Sequence, residues 1–195
     1  LGEASDAFGY ANTTKEQASR MESELRKFFV AVQGRSPFDV ELYRQQAMEV
    51  ARAGGLVSAT AFSAIEQAMW DLAGQALGVP VYDLFGGKLR DELPVYANIN
   101  RATKVRTPEG FAETARRAVA EGFRHVKLHE VAAEPVLAVR EAVGDTVELM
   151  LDPNCAWTCE EAVRLAPRLA PARLRWVEDA IWPPEDHESM RRLRR

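Results

Sequence analysis

Three short apolar segments, RHVKLHE at 124–130, VELMLDPN at 147–154 and LRWVED at 174–179, each run out into polar or charged residues. With VYANIN at 95–100 they set a strand about every 25 residues. Two antiparallel strands can be joined by a tight turn, whereas this spacing leaves room for a helix in every connection, as parallel βα units require. The intervening stretches carry the matching signals. Thr107 and Pro108 suit the N-cap and first position of a helix bearing Phe111, Ala115, Ala118 and Val119, closed by Gly122. A second helix is expected at 134–143. Thr158 and Glu161 form a capping box for a third, ending near Leu169, and a last helix covers about 185–194.

Side chains alternate across a strand. Lys127 and His129 therefore share a face, as do Met150 and Asp152, and Trp176 and Glu178. Parallel neighbours would bring Lys127, His129, Asp152 and Glu178 to one rim. A doubly wound sheet is one solution, but a (β/α)8 TIM barrel fits better, because functional-looking residues end successive strands. No Gly-rich phosphate motif follows any strand. Four units are half a barrel and leave two open edges, so the chain is expected to be a piece of a longer protein or to need a partner.

The first half of the chain has a different rhythm. Residues 1–12 read as the end of a strand and a loop. Thr14 and Gln17 suit a capping box for a helix over 14–32, with Ala18, Met21, Leu25, Phe28, Phe29 and Val32 at helical spacing. Asp39 is placed to cap a second helix, through Arg52. A third covers about 58–77, with Phe62, Ile65, Met69, Leu72 and Ala76 as its stripe and Asp71 as a buried structural partner. The fold class is therefore α/β: a mostly helical part over 1–92, then the first four βα units of a barrel over 93–195.

Charge narrows the function classes. A net charge of −4 argues against a nucleic-acid or anionic-membrane surface. No apolar run is long enough to span a bilayer. The two cysteines, Cys155 and Cys159, make neither a disulfide framework nor a good zinc signal and read as free thiols in a reducing cytoplasm. The opening LGEASDAFGY shows no secretory leader.

The rim residues each carry two readings. Asp152 and Glu178 would repel unless a cation or proton lay between them, which suits Mg2+ and its preference for oxygen ligands; alternatively they cap helices or pair with arginines. Lys127 and His129 suit general bases if a nearby divalent ion depresses their pKa values; alternatively Lys127 salt-bridges Asp152 and His129 is a hydrogen-bonded structural residue. Asn154 can orient a substrate hydroxyl or a ligand carboxylate, or serve the turn after Pro153. Asn100 and Asn98 end the first strand, and Asn100 is a candidate substrate contact. His125 is expected in the barrel interior, His187 at an exposed helix start, and Trp157 and Trp176 in packing roles. Cys155 is expected to be an inert thiol near the rim.

The block SAIEQAMWDLAGQALGVPVYDLFGGKLRDELPVYA at 63–97, the VKLH strand, LDPNCAW and WVEDAIWPPED together resemble the mandelate racemase/muconate lactonizing enzyme branch of the enolase superfamily. The resemblance implies an α+β capping domain followed by a modified barrel. It also implies Mg2+ and a Lys or His base that abstracts the proton next to a substrate carboxylate, giving an enediolate. Asp152 matches the metal ligand ending the third barrel strand and Glu178 the one ending the fourth. Lys127 matches the first basic residue of the second-strand K-x-K motif, and His129 stands where many members carry the catalytic lysine. Asp179–Ala180 replaces a common Glu-Pro. The third ligand and the opposite-face acid/base residues would lie beyond Arg195, and the first capping strands with a substrate-covering loop before Leu1. The implied activity is dehydration of a sugar acid, with racemisation, epimerisation or cycloisomerisation as alternatives, in a cytoplasmic enzyme that is a homo-oligomer when full length. A different class of reading is a catalytically inactive truncated barrel that acts as a scaffold or binds a partner half.

Overall fold

The computed structural model describes residues 14–194, so the expected strand end and loop over 1–12 lie outside the described residues. The chain divides into two compact units, with the boundary between Glu92 and Leu93.

The first unit is helical: α1 Lys15–Val32, α2 Val40–Ala53, α3 Gly55–Leu77 and the single turn α4 Val81–Leu84. The capping box of α1 forms as the sequence predicts. The Thr14 hydroxyl accepts from the Gln17 N–H at 3.2 Å, and the Gln17 side chain accepts from the Thr14 N–H at 2.8 Å. Asp39 holds the N-cap position of α2, but its side chain accepts no helix N–H. α3 starts earlier than expected, because Gly54 and Gly55 turn the chain straight into it, with φ +71° at Gly55.

The buried face of α3 also differs from the expected stripe. Val57, Ala61, Phe62, Ala64, Met69 and Ala73 are buried, while Leu72 is 51% exposed and Ala76 faces solvent. Small residues on that face let α1 and α2 approach closely. Their packing is aromatic: Tyr43 stacks on Phe62 at 4.8 Å and Phe28 meets the same ring edge-on at 5.8 Å. Asp71 is half-buried and accepts from Gln75 at 2.7 Å, a helix-surface pair rather than the expected buried partner.

The second unit alternates β1 Ala97–Asn98, α5 Pro108–Ala120, β2 His125–Leu128, α6 Ala133–Val143, β3 Glu148–Leu151, α7 Cys159–Leu169, a 3-10 turn at Ala170–Ala172, β4 Trp176–Val177 and α8 His187–Leu193. Both helix starts with sequence signals are capped, by Thr107 and by the Thr158/Glu161 box. The sheet is parallel, in the order β1-β2-β3-β4. Its strands are shorter than the apolar segments, because the polar tips leave the regular ladder. Single bonds continue the pairing there, from the Asp152 N–H to Leu128 O at 2.9 Å and from the Glu178 N–H to Leu151 O at 2.8 Å.

Among the described residues of this unit, α5, α6 and α7 pack on one sheet face. Val126, Leu128, Leu149 and Leu151, all fully buried, pack with Phe111, Ala115, Val136, Val139 and Ala162 from α5, α6 and α7. Burying each large aliphatic side chain contributes about 1.5–3 kcal/mol. The alternate residues Lys127, Met150 and Trp176 therefore turn to the other face, which fixes the side on which a site can form. His125 shares the face of Lys127 at the amino ends of the strands, where its ring is 28% exposed and pairs with Glu148 at 3.1 Å. Trp176 is likewise 39% exposed, with the Arg175 guanidinium over its ring, whereas Trp157 is buried and packs as expected. His187 opens α8 and is exposed.

Candidate active site

Register sets the rim. Lys127 lies beside Asn98 on one flank and Met150 on the other, and Met150 lies beside Trp176. Two residues further along the same face come Asn100, His129, Asp152 and Glu178. The sequence-predicted convergence of His129, Asp152 and Glu178 with Lys127 is present in the structure.

Lys127 reaches up from the lower row and places its Nζ 3.1 Å from Asp152 Oδ2 and 2.6 Å from Glu178 Oε2. The Lys127 and Asp152 side chains are almost wholly buried, while Glu178 is 44% exposed. Burial works against the Lys127 ammonium, but hydrogen bonds and charge attraction from Glu178 and Asp152 outweigh it and hold its pKa above the ordinary lysine value. Burial likewise works against the Asp152 carboxylate, and the Asn154 N–H with Lys127 and His129 more than offsets it, so its pKa is lowered. Lys127 is thus a counter-ion in this arrangement, the alternative its sequence position left open.

Asp152 is held from its other side by the turn that follows. The Asn154 N–H and its side-chain amide both donate to Asp152 Oδ1, at 2.9 and 2.8 Å. Asn154 and Cys155 have φ of 53° and 57°, and Asp179, just after Glu178, has φ of 42°. Left-handed conformations at three non-glycine residues beside the two carboxylates are a local cost that the surroundings hold in place. The Cys155 N–H donates to Asp179 O at 2.6 Å, and Trp157 bridges to Ile181, which zips the loops after β3 and β4 together. Burial, then the negative charges of Asp179, Asp152 and Glu185, push the Cys155 thiol up, consistent with an unreactive cysteine.

His129 sits inside this framework, its side chain 9% exposed. Its Nδ1 is 3.4 Å from Asp152 Oδ2 and 3.3 Å from Asn154 Oδ1, and its Nε2 is 3.1 Å from Asn98 Nδ2. Asn100, the expected substrate contact, is 6% exposed, and its side-chain oxygen accepts from Arg106 at 2.9 Å. Arg106 also pairs with Glu130, next to His129, so it ties the ends of β1 and β2 together. Asn100 is thus engaged with Arg106, and Asn98 is the first-strand asparagine whose side chain meets His129. The alternation of VYANIN marks both residues; only the register and the Arg106 contact separate them.

The donor set fits a hard cation. Two carboxylates on adjacent strands already converge on one positive group, the Lys127 ammonium, and carboxylate oxygens are the ligands Mg2+ prefers. Among the described residues, no group of three His, Cys, Asp or Glu side chains is placed to hold a metal ion, so the pair offers part of a coordination shell.

Comparison with known proteins meets this geometry. Residues 3–86 match the mandelate racemase/muconate lactonizing enzyme N-terminal domain, and residues 110–195 match the enolase C-terminal domain-like family. The chain is similar to a D-gluconate dehydratase from Thermoproteus tenax, with 36% identity over 191 residues, covering 88% of this chain and 37% of that protein. It is similar to a D-xylonate dehydratase from Haloferax volcanii, with 33% identity over 180 residues, covering 80% and 43%. The chain thus spans less than half the length of these relatives. Among solved structures, a mandelate racemase/muconate lactonizing protein from Paracoccus denitrificans complexed with magnesium superposes with a TM-score of 0.78 at 25% identity, covering 98% of this chain and 54% of that one. The 3,6-anhydro-D-galactonate cycloisomerase from Zobellia galactanivorans gives a TM-score of 0.76 at 28% identity, covering 91% and 51%.

Proposed function

Because the chain belongs to the mandelate racemase/muconate lactonizing enzyme branch of the enolase superfamily, we propose that it forms one side of a Mg2+-dependent site that removes the proton α to a substrate carboxylate. Residues 1–92 are then part of the capping domain, and 93–195 the first half of a (β/α)8 barrel. Among the described residues of the second unit, the packing of α5, α6 and α7 on one sheet face supports the barrel over a doubly wound sheet.

The observation that carries the proposal is the placement of Lys127, Asp152, Glu178 and His129 within one hydrogen-bonded group at the carboxyl ends of parallel strands. Asp152 and Glu178 would hold the metal. Bound Mg2+ would supply positive charge to the substrate oxygens as the carboxylate takes on enediolate character. Lys127, displaced from between the carboxylates, would remain as a cation facing the substrate carboxylate. His129 would accept the α-proton, and Asn154 would keep Asp152 aimed.

Sugar-acid dehydration is the favoured outcome. The electron pair left on the α-carbon would form a carbon–carbon double bond as the β-hydroxyl departs as water with the proton His129 has taken up, and the resulting enol would tautomerise to the 2-keto acid. The two relatives named as sugar-acid dehydratases support this over racemisation or cycloisomerisation. The substrate would be a small polyhydroxy acid, and the full-length enzyme a homo-oligomer. The test is a library of sugar acids and other carboxylic acids incubated with the full-length protein and Mg2+. Release of a 2-keto acid, together with α-proton exchange in D2O, supports the reading; absence of both across the library overturns it.

A second reading has its own observation. Lys127 already occupies the space between the two carboxylates and offsets one of their two charges, so the 195-residue chain alone would hold Mg2+ weakly and act as a scaffold or partner-binding half. Equilibrium dialysis of Mg2+ against this chain and against the full-length protein separates the two.

A further inference from the structure

The orientation of the Asn98 amide is fixed by its own neighbour. The Asn100 N–H donates to Asn98 Oδ1 at 3.2 Å, which identifies that atom as the oxygen and leaves Nδ2 facing His129 Nε2 at 3.1 Å. An amide nitrogen only donates. Nε2 must therefore accept, and a neutral ring then carries its proton on Nδ1. Around Nδ1 lie Asp152 Oδ2 at 3.4 Å and the Asn154 amide, whose Oδ1 and Nδ2 are both at 3.3 Å, so two oxygens are within reach of an Nδ1–H. The Asn154 amide is itself oriented, because its Nδ2 is committed to Asp152 Oδ1 at 2.8 Å. Nε2 thus faces the Asn98 donor, whereas Nδ1 faces two acceptor oxygens, Asp152 Oδ2 and Asn154 Oδ1, together with the Asn154 Nδ2.

We propose that Asn98 is a positioning residue that selects the Nδ1–H tautomer of His129 and keeps Nε2 as the proton-accepting nitrogen. Its catalytic meaning rests on the reading of His129 as the base; the tautomer itself does not. Acceptor oxygens on Nδ1–H orient the ring and leave the Nε2 lone pair as the proton acceptor. Asn98 holds the Nε2 lone pair until a substrate C–H replaces the amide, so the ring does not need to rotate before the proton moves. Arg106 supports the pairing from behind by tying Asn100 and Glu130 together, which fixes the spacing of the two strand ends that carry Asn98 and His129.

The test is two-bond 1H–15N correlation NMR on the 195-residue chain carrying 15N-labelled histidine. It is run at about pH 8.5, two units above the ordinary imidazole value of about 6.5. The His129 signals are assigned among the three histidines by their loss in His129→Gln. The wild-type ring is expected as the Nδ1–H tautomer. Asn98→Asp presents an acceptor of the same shape and should move the proton to Nε2, and Asn98→Ala should give a mixture. Nε2–H in the wild type overturns the proposal, as does an unchanged Nδ1–H ring in either variant. Asn98→Ala introduces no charge and covers the case in which the aspartate variant does not fold. Normal α-proton exchange in full-length His129→Gln would overturn the base assignment and leave the tautomer result standing.

Discussion

Lys127 Nζ and Asp152 Oδ2 stand 3.1 Å apart with side chains only 5% and 6% exposed, and each compensates the other for leaving water together with Glu178 on Lys127 and the Asn154 N–H on Asp152. Removing one partner of such a pair costs more than the pair contributes, because the remaining charge stays buried. Lys127→Met should lower the stability of the chain in urea denaturation by about 3 kcal/mol, somewhat cushioned by the two Asn154 donors on Asp152. Added Mg2+ should recover part of that loss, since an ion that binds only the folded state stabilises it by mass action. A variant as stable as the wild type without Mg2+ would contradict the pairing described above.

Asp152 and Glu178 differ in burial, and their substitutions should differ accordingly. Asp152→Asn, at the buried and fully oriented ligand, should weaken Mg2+ binding by the full-length protein at least about 10-fold in titration calorimetry and remove Mg2+-dependent turnover. Glu178→Gln acts at a 44% exposed side chain that is freer to move. It should weaken binding less while also lowering turnover. Unchanged Mg2+ affinity in both variants would place the ion elsewhere.

Much of the second unit was readable because its signals are local. Alternation put Lys127 with His129 and Asp152 with Met150, and the Thr158/Glu161 box fixed the start of α7. What escaped depends on register and tertiary partners. VYANIN offers two asparagines of the same parity, and the Arg106 guanidinium, reached through folding, occupies Asn100 and leaves Asn98 to His129. Asn154 carried two open readings because its φ of 53° and its two hydrogen bonds to Asp152 are invisible in a D-P-N string. The α3 stripe was misread at Leu72 and Ala76. Periodicity there is blurred by apolar residues around much of the helix, and packing chose the alanine-rich face.

Arg140 had no sequence signature at all, yet it is 8% exposed and donates to Ala172 O at 2.8 Å, Gly144 O at 2.5 Å and Val147 O at 2.8 Å. It joins the end of α6, the entry to β3 and the 3-10 turn before β4. Burial, with a smaller effect of Arg173, lowers its pKa, which marks how far the charge has left water. Arg140→Met keeps the stem but leaves three carbonyls without a charged donor. It should cost about 3 kcal/mol in denaturant unfolding, at roughly 1 kcal/mol per bond. Arg140→Lys should recover only part of this, because one ammonium cannot reproduce the planar spread of the guanidinium. Wild-type stability in Arg140→Met would show that the three bonds carry no net weight.

Tyr43 supplies a pH test confined to the first unit. Its hydroxyl donates to Phe62 O at 3.0 Å, and burial, with the charge of Glu66 adding to it, holds the phenol far above its usual pKa. A raised folded-state pKa means that the neutral phenol is favoured by folding. Its contribution is fully present below the unfolded value of about 10 and is lost as the pH climbs above that value toward the folded one. Stability should fall by up to about 1.4 kcal/mol per pH unit above pH 10 from this group alone. Tyr43→Phe should cost about 1 kcal/mol at pH 8 through the lost hydrogen bond, and should show a shallower alkaline decline than the wild type. The difference between the two proteins in urea midpoints measured from pH 8 to 11 isolates Tyr43 from the lysines that titrate in the same range. Parallel declines would mean that the Tyr43 phenol ionises in the folded protein as readily as in the unfolded chain.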